Sequence, residues 1–191
     1  MTDLTAQTPA ISSGESNLTQ AKFLAASTLI PKTFQGRVGD VLVALGIAKS
    51  LGLSTFEVLN ALVLIQGRVT FSAQFIIALA HTRGPFKSRI QYKTEGQGDA
   101  LSVSAFATMP DDSQASATVT MEMAKREGWT RNPKYQSMPE HMLRYRAATF
   151  LVRQHCPEIL LGMQTKEEIE DMHIATSETK IESLNAKIAN Q

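Results

Sequence analysis

The stretch GWTRNPKYQSMPEHMLRYRAATFLVRQHCPEILLGM, residues 128–163, carries the strongest structural signals of the chain. Ser137 precedes Glu140 by three residues, the spacing of a capping box, and Pro139 falls in the first turn, where its missing N–H is tolerated. We therefore predict that a helix begins here. At about 100° per residue, Arg146 and Arg153 lie on one side of this helix together with apolar residues.

Two cations on an apolar helix face need an anion. An arginine can bury its methylene groups, but its guanidinium loses hydration at a high cost unless an opposite charge replaces the water. Carboxylates of the protein would satisfy Arg146 and Arg153, and so would the phosphates of a ligand. The helix geometry leaves both interpretations open.

The composition fits one ordinary globular domain with a core of its own. The chain has 191 residues, is 43% hydrophobic and has a formal net charge of +1. Charge is nevertheless segregated, because residues 125–153 hold seven basic and two acidic residues, whereas residues 158–191 hold seven acidic residues and three lysines. This asymmetry predicts a polyanion-binding body with an acidic tail, although solvated charged surfaces produce the same pattern.

The single Cys156 excludes an internal disulfide framework and offers no metal-ligand spacing, as expected in a reducing compartment. We find neither a secretion signal nor an apolar run of membrane-spanning length. We therefore expect a soluble cytoplasmic protein that does not associate with a membrane.

The front of the chain is predicted to be helical. Residues 1–16 are rich in Thr, Ser, Ala and Pro and are expected to form a flexible arm, followed by a short helix over residues 17–30. Asp40 is a suitable N-cap for a second helix that Gly52 can close in the left-handed conformation. Ser54 and Glu57 have capping-box spacing and open a third helix.

The pattern of apolar and polar residues changes twice in the segment after this third helix. Residues 63–70 are rich in β-branched residues around Gln66 and Gly67, so the segment is ambiguous between the end of the helix and a small hairpin. Helical periodicity then resumes up to Gly84. From residue 88 the period becomes two, in SRIQYKT, LSVSAFA and ASATVTM, with turn residues at 96–99 and 110–112. A short helix over residues 121–128 follows.

These elements together predict an α+β fold. Its centre is a small antiparallel three-stranded sheet, a meander with one face against helices and the other polar, small and partly basic. The N-terminal part is helical. We expect a single domain over residues 17–163 and an acidic tail over residues 164–191, whose start carries the Thr165 and Glu168 capping-box pair and which forms a marginal helix.

Catalytic groupings are not found in the sequence. There is no phosphate loop, HExxH, CxxC or GxSxG motif, and the four histidines lack ligand spacing. We therefore expect neither an enzyme nor a metal or other cofactor.

Binding of single-stranded nucleic acid fits better, because basic residues recur beside aromatic ones. Cations neutralise phosphates and aromatic faces stack on exposed bases, so Trp129 and Tyr135 are candidates for base stacking. The simpler interpretation is that both rings fix the linker to the core. The candidate basic residues from composition and helix position are Arg89, Lys93, Lys125, Arg126, Arg131, Lys134, Arg144, Arg146 and Arg153.

The motifs also have a family resemblance. IPKTFQG, VLNALVLIQGRVTFSAQFIIALAHTRGPF, VTMEMAKREGW and above all SMPEHMLRYRAATFLVRQHCPEILLGMQTKEEIEDM occur in this order between about Ala25 and Met172. In this pattern the chain resembles the phage RecT family of single-strand DNA annealing proteins. The most specific string is the MPxxMLRYRA sequence followed by Pro-Glu and Gly-Met.

The resemblance implies ATP-independent binding of single-stranded DNA and annealing of complementary strands during phage recombination. It further implies a homo-oligomer, either a ring or a helical filament, that acts beside a phage exonuclease in the cytoplasm of a bacterial host. Its α+β family fold has a basic groove for the DNA backbone. The basic positions in matching motifs are Arg68, Lys125, Arg126, Arg144, Arg146 and Arg153.

Two other functions remain open from the sequence. One is a passive single-strand-binding module without annealing activity. The other is a structural oligomer in which Arg146 and Arg153 form salt bridges with carboxylates of a neighbouring subunit, for which the candidates are Glu167, Glu168 and Glu170.

Overall fold

A computed structural model describes residues 13–65, 67–172 and 174 of the chain. The predicted α+β class is confirmed, with a helical N-terminal part and a three-stranded antiparallel sheet. The described residues fall into two compact units that divide between Leu62 and Val63. The sequence predicts one domain over residues 17–163.

The first unit contains three helices: α1 (Ser13–Ala26), α2 (Val38–Leu51) and α3 (Thr55–Ala61). The helix α1 begins and ends earlier than predicted, and residues 13–16 of the expected arm belong to it, while residues 1–12 lie outside the described residues. The chain turns after α1 and is tied back to it by a hydrogen bond from the Gly36 N–H to the Ala25 carbonyl, 2.8 Å long.

The predicted start of α2 is wrong, and its predicted end is confirmed. Arg37 occupies the N-cap position, and Asp40 lies in the first turn, where its carboxylate is 3.3 Å from the Arg37 guanidinium. An acidic side chain there is favoured by the helix dipole without capping the helix. Gly52 has φ 60° and ψ 33°, the left-handed conformation that closes a helix. The capping box of α3 is present, with Ser54 and Glu57 each accepting the other's backbone N–H.

The described residues include no single helix that is long and apolar enough to cross a bilayer, and only α2 and α3 taken together meet that test of length and composition, with a bend of 112° between them.

The second unit opens with a two-stranded hairpin, one of the two structures that the sequence left open for this segment. The strands β1 (Leu62–Ile65, which starts at the boundary) and β2 (Arg68–Phe71) form a two-stranded sheet. Gly67 between them has φ 75°, which glycine adopts without strain. The helix α4 (Ala73–Arg83) follows, with Ser72 as its N-cap.

The predicted meander is confirmed. Strands β3 (Gln91–Glu95), β4 (Ser102–Thr108) and β5 (Gln114–Thr120) pair antiparallel in the order β3-β4-β5. Alternate residues of β4 and β5 are buried, among them Val103, Ala105 and Val119. The residues between them are at least partly exposed, and all of them are polar except Phe106. The sheet therefore has one core face and one open face.

The predicted capping box at the start of the central helix is wrong. This helix, α7 (Pro139–His155), is preceded by the short helices α5 (Met121–Arg126) and α6 (Lys134–Ser137). Ser137 ends α6, while Glu140 accepts a hydrogen bond from the Thr94 hydroxyl at 3.0 Å. The Glu140 carboxylate, to which the local pattern assigns a capping role, therefore makes a tertiary contact instead. Pro139 lies in the first turn of α7, as predicted.

The helix α7 lies at the centre of the second unit. It packs against β4 and β5 on one side and against α4 on another, and these contacts bury eight of its 17 residues. Beyond the 3-10 turn Pro157–Leu160, residues 166–172 form a last helix, here called α8. Its predicted capping box is present between Thr165 and Glu168. The rest of the predicted acidic tail, apart from residue 174, lies outside the described residues.

Two glycines in the β3–β4 turn allow a matched test of this fold. Gly96 has φ 71° and Gly98 has φ 55°, but a Cβ on Gly96 would overlap the Ala100 carbonyl oxygen, whereas one on Gly98 meets no atom within 4 Å. Gly98→Ala should cost about 1 kcal/mol for the left-handed conformation alone. Gly96→Ala should lower the free energy of unfolding by about 3 kcal/mol, because the overlap with the Ala100 carbonyl oxygen adds to the cost of the left-handed conformation. Urea unfolding followed by the fluorescence of the single Trp129 measures both, and equal losses would contradict the turn geometry.

Candidate nucleic-acid interface

Arg146 of α7 is held inside the protein by carboxylates of α8. Its side chain is 7% exposed, and its guanidinium lies 2.5 Å from Asp171 Oδ2 and 3.5 Å from Glu168 Oε1. The Asp171 side chain is fully buried. The helix geometry left open whether protein carboxylates or ligand phosphates accompany Arg146. In the structure its partners are carboxylates of the same chain.

Neutral side chains complete the surroundings of this ion pair. Arg146 Nε donates to the Tyr135 hydroxyl at 3.3 Å, which in turn donates to Asp171 at 3.1 Å. The Asn132 amide donates to the other Asp171 oxygen at 2.8 Å. The Trp129 ring centroid lies 4.1 Å from the Arg146 guanidinium carbon, a cation–π contact. The buried charges are thus paired and hydrogen-bonded, as burial requires.

The aromatic residues of the linker are therefore placed in the core. Trp129 is 8% exposed and Tyr135 is 3% exposed, so neither ring has a face open to a nucleobase. Burial raises the pKa of Tyr135, which keeps its hydroxyl protonated as a donor to Asp171. The structure corresponds to the simpler interpretation, in which these rings fix the linker to the core.

Arg153 lies one heptad further along α7, where the ion cluster reaches the surface. Its guanidinium forms two hydrogen bonds of 2.8 Å with the two oxygens of Glu168. Burial alone would raise the pKa of Glu168, but the hydrogen bonds from Arg153 and the Thr165 N–H lower it, so this carboxylate stays ionised. The Arg153 side chain is 39% exposed, and an arginine has five N–H donors, which leaves donors for a ligand.

Two depressions adjoin on the surface at this point. One, of about 340 Å³, is lined by Arg153, and the other, of about 570 Å³, is lined by Arg68 of β2. Both are also lined by residues 162–164, and we call the combined feature the 162–164 groove. Arg68 donates to the Gln164 side chain at 3.1 Å. The fold thereby brings two of the predicted basic residues, 85 positions apart in sequence, to one concave surface.

The backbone of the groove is strained at its start and fixed at its end. Leu161 has φ 47°, which is uncommon for a residue other than glycine, and Gly162 follows with φ 74°. The Thr70 hydroxyl bonds to the Gln164 carbonyl, and Phe71 forms a parallel bridge with Thr165. Strand β2 thus holds the groove backbone in place, as expected of a preformed binding surface.

The other predicted basic residues are spread over the surface of the second unit. Several form ion pairs there with exposed or half-exposed carboxylates: Lys93 with Glu95 at 2.9 Å, Lys125 with Asp99 at 2.6 Å, Arg126 with Glu122 at 2.6 Å, Lys134 with Glu170 at 3.2 Å and Arg144 with Glu140 at 2.6 Å. Arg89 and Arg131 are exposed. The structure does not bring this set together at the groove.

Sequence reasoning missed two residues of the ion cluster, Asn132 and Asp171. A signal for Asp171 was present, because the capping box fixes the start of α8 and Asp171 follows Glu168 by three positions, on the same helix face. Asn132 had no such signal, since it lies in an irregular linker.

Among the residues that the structure describes, no group of three or more His, Cys, Asp or Glu side chains is placed to hold a metal ion. Comparison of the chain with known protein families, with curated proteins and with solved structures found no match.

Asp171→Ala tests the role of the ion cluster. This change removes the short contact and leaves the buried Arg146 charge with only the longer, 3.5 Å contact to Glu168, which Arg153 shares, so we expect a loss of about 3 kcal/mol in the free energy of unfolding. Glu170→Ala is the matched control on the same helix, because Glu170 makes only surface pairs with Lys134 and Lys166, and it should cost less than about 1 kcal/mol. Urea unfolding followed by circular dichroism measures both, and similar small losses would show that the buried pair does not hold α8.

Proposed function

We propose that this protein binds single-stranded DNA and promotes the annealing of complementary strands without nucleotide hydrolysis, as in phage recombination. The observation that carries the proposal is the meeting of Arg68 and Arg153 at the 162–164 groove. The resemblance of the motifs in residues 25–172 to the RecT family supports the same activity.

Arg153 is suited to a phosphate contact because of its pairing with Glu168. The buried carboxylate fixes the guanidinium plane through two hydrogen bonds, and the exposed side of the same group remains available. A preorganised arginine donates to a phosphate with little further loss of side-chain freedom. Arg146 serves a different purpose in this proposal: it positions α8, and hence Glu168, instead of contacting DNA.

The remaining surface cations supply weaker, sequence-independent attraction. Their ion pairs are solvent-exposed, and exposed pairs contribute less than about 1 kcal/mol, so a phosphate can replace the carboxylate at little cost. Annealing then requires no covalent chemistry, because the protein neutralises the backbone and holds one strand with its bases free to pair.

We further propose that the protein acts as a homo-oligomer beside a phage exonuclease. Support for self-association comes from large apolar side chains exposed on the first unit, among them Phe23 (76% exposed), Leu29 (84%) and Val43 (57%). Apolar surface exposed to solvent is a mark of association sites in proteins where such side chains form a patch. The exonuclease partner rests on the family resemblance alone.

Annealing of complementary oligonucleotides in the absence of ATP tests the proposed activity. We expect the rate to exceed that of protein-free DNA at low salt and to rise more steeply than in proportion to protein concentration, since an assembly is the active form. Binding of one strand measured in the same samples separates annealing from passive binding. Tight binding without faster annealing would support the passive module, and absence of both would refute the proposal.

Arg68→Ala tests the groove with little risk to the fold, because Arg68 is exposed and its guanidinium donates to the partly exposed side chain of Gln164. We expect weaker binding of single-stranded DNA, and a slope of log affinity against log salt that is less negative by about 0.7, the loss of one phosphate contact. Lys49→Ala on α2 is the control, since Lys49 is an exposed cation of the first unit. Equal effects of the two substitutions would remove the groove from the proposed site.

A further inference from the structure

We infer that the open face of the β3–β5 sheet is a base-stacking surface for single-stranded nucleic acid, with Phe106 as its platform. This inference rests on the proposed function in one respect, which is the identity of the ligand as single-stranded nucleic acid. It assigns the stacking contact to a surface separate from the 162–164 groove and to a residue that is accessible, in contrast to Trp129 and Tyr135.

Phe106 is out of place among the residues of this face. The strand register pairs Gln91 with Phe106 and Phe106 with Ser116, so these three side chains lie side by side on the open face. Along the same strand, Ser104 and Thr108 flank the ring. All of these neighbours are polar, and the buried residues of β4 on the opposite face are small, such as Ala105 and Val103.

The Phe106 ring is partly exposed on this face of the sheet. It is half-buried, and within the described residues no other aromatic ring contacts it. The hydroxyls of Ser104 and Thr118, which lie on the same face, are hydrogen-bonded to each other at 2.7 Å. A flat apolar group in the middle of a hydroxyl-rich sheet is suited to stacking with another flat group.

The surrounding charges and donors fit a nucleic acid better than a protein partner. Lys93 occupies the position diagonal to Phe106 on β3, about 7–8 Å away for such a pair, and Arg89 is exposed just before the strand. The exposed pair of Lys93 with Glu95 is easily exchanged for a phosphate. A protein interface would need an apolar core of several residues, whereas this face offers one ring. Aromatic rings on open sheets are a common means of binding unpaired bases.

Phe106→Leu and Phe106→Tyr test the platform, because leucine removes the ring and tyrosine retains it. The full-length variants are compared for binding to a thymidine oligonucleotide and to an abasic oligonucleotide of the same length. The wild-type protein should bind the base-containing strand more tightly than the abasic strand. The ratio of the two affinities should fall about tenfold in Phe106→Leu and stay unchanged in Phe106→Tyr. The salt dependence of binding should stay unchanged in both variants, since no phosphate contact is removed.

Phe34→Leu is the control for loss of a half-buried ring elsewhere, since Phe34 lies in the turn after α1. An unchanged preference in Phe106→Leu, or an equal loss in Phe34→Leu, would overturn the inference. If wild type binds and Arg68→Ala weakens binding while Phe106→Leu does not, only this inference fails. If wild type binds neither oligonucleotide, the proposed function fails as well.

Discussion

The buried contact between Arg146 and Asp171 joins the central helix of the second unit to its last helix. Neither group can lose hydration alone, so the two helices must meet for either charge to be tolerated in the interior. Tyr135, Asn132 and Trp129 surround the pair and are thereby fixed in turn. The linker between α5 and α7, which forms only short helical turns, is fixed to the core through these contacts.

The same cluster has consequences at the surface. Glu168 contacts Arg146 on its buried side and Arg153 on its outer side, and it also caps the helix that carries it. Because one carboxylate performs all three tasks, the orientation of Arg153 at the 162–164 groove depends on the packing of α8. The structural and proposed binding roles of the two arginines are thus coupled through Glu168.

The local patterns of the sequence account for several elements of both units. Alternation of small apolar and polar residues specified the meander and its core face, and the capping boxes at Ser54 and Thr165 specified helix starts. These features depend on neighbouring residues only. The capping prediction at Ser137 failed for the opposite reason, since Glu140 is used by Thr94 and Arg144, which the local pattern does not include.

The sequence by itself determined that Arg146 and Arg153 share one side of a helix and that an anion must accompany them. Only the tertiary structure decided which anion, because Asp171 is 25 positions and Glu168 is 15 positions from the arginine that it neutralises. Helical periodicity fixes the direction of a side chain relative to its own axis and not the group that faces it. For the same reason, the structure alone showed that Trp129 and Tyr135 point into the core, and that Arg68 and Arg153 meet at one groove.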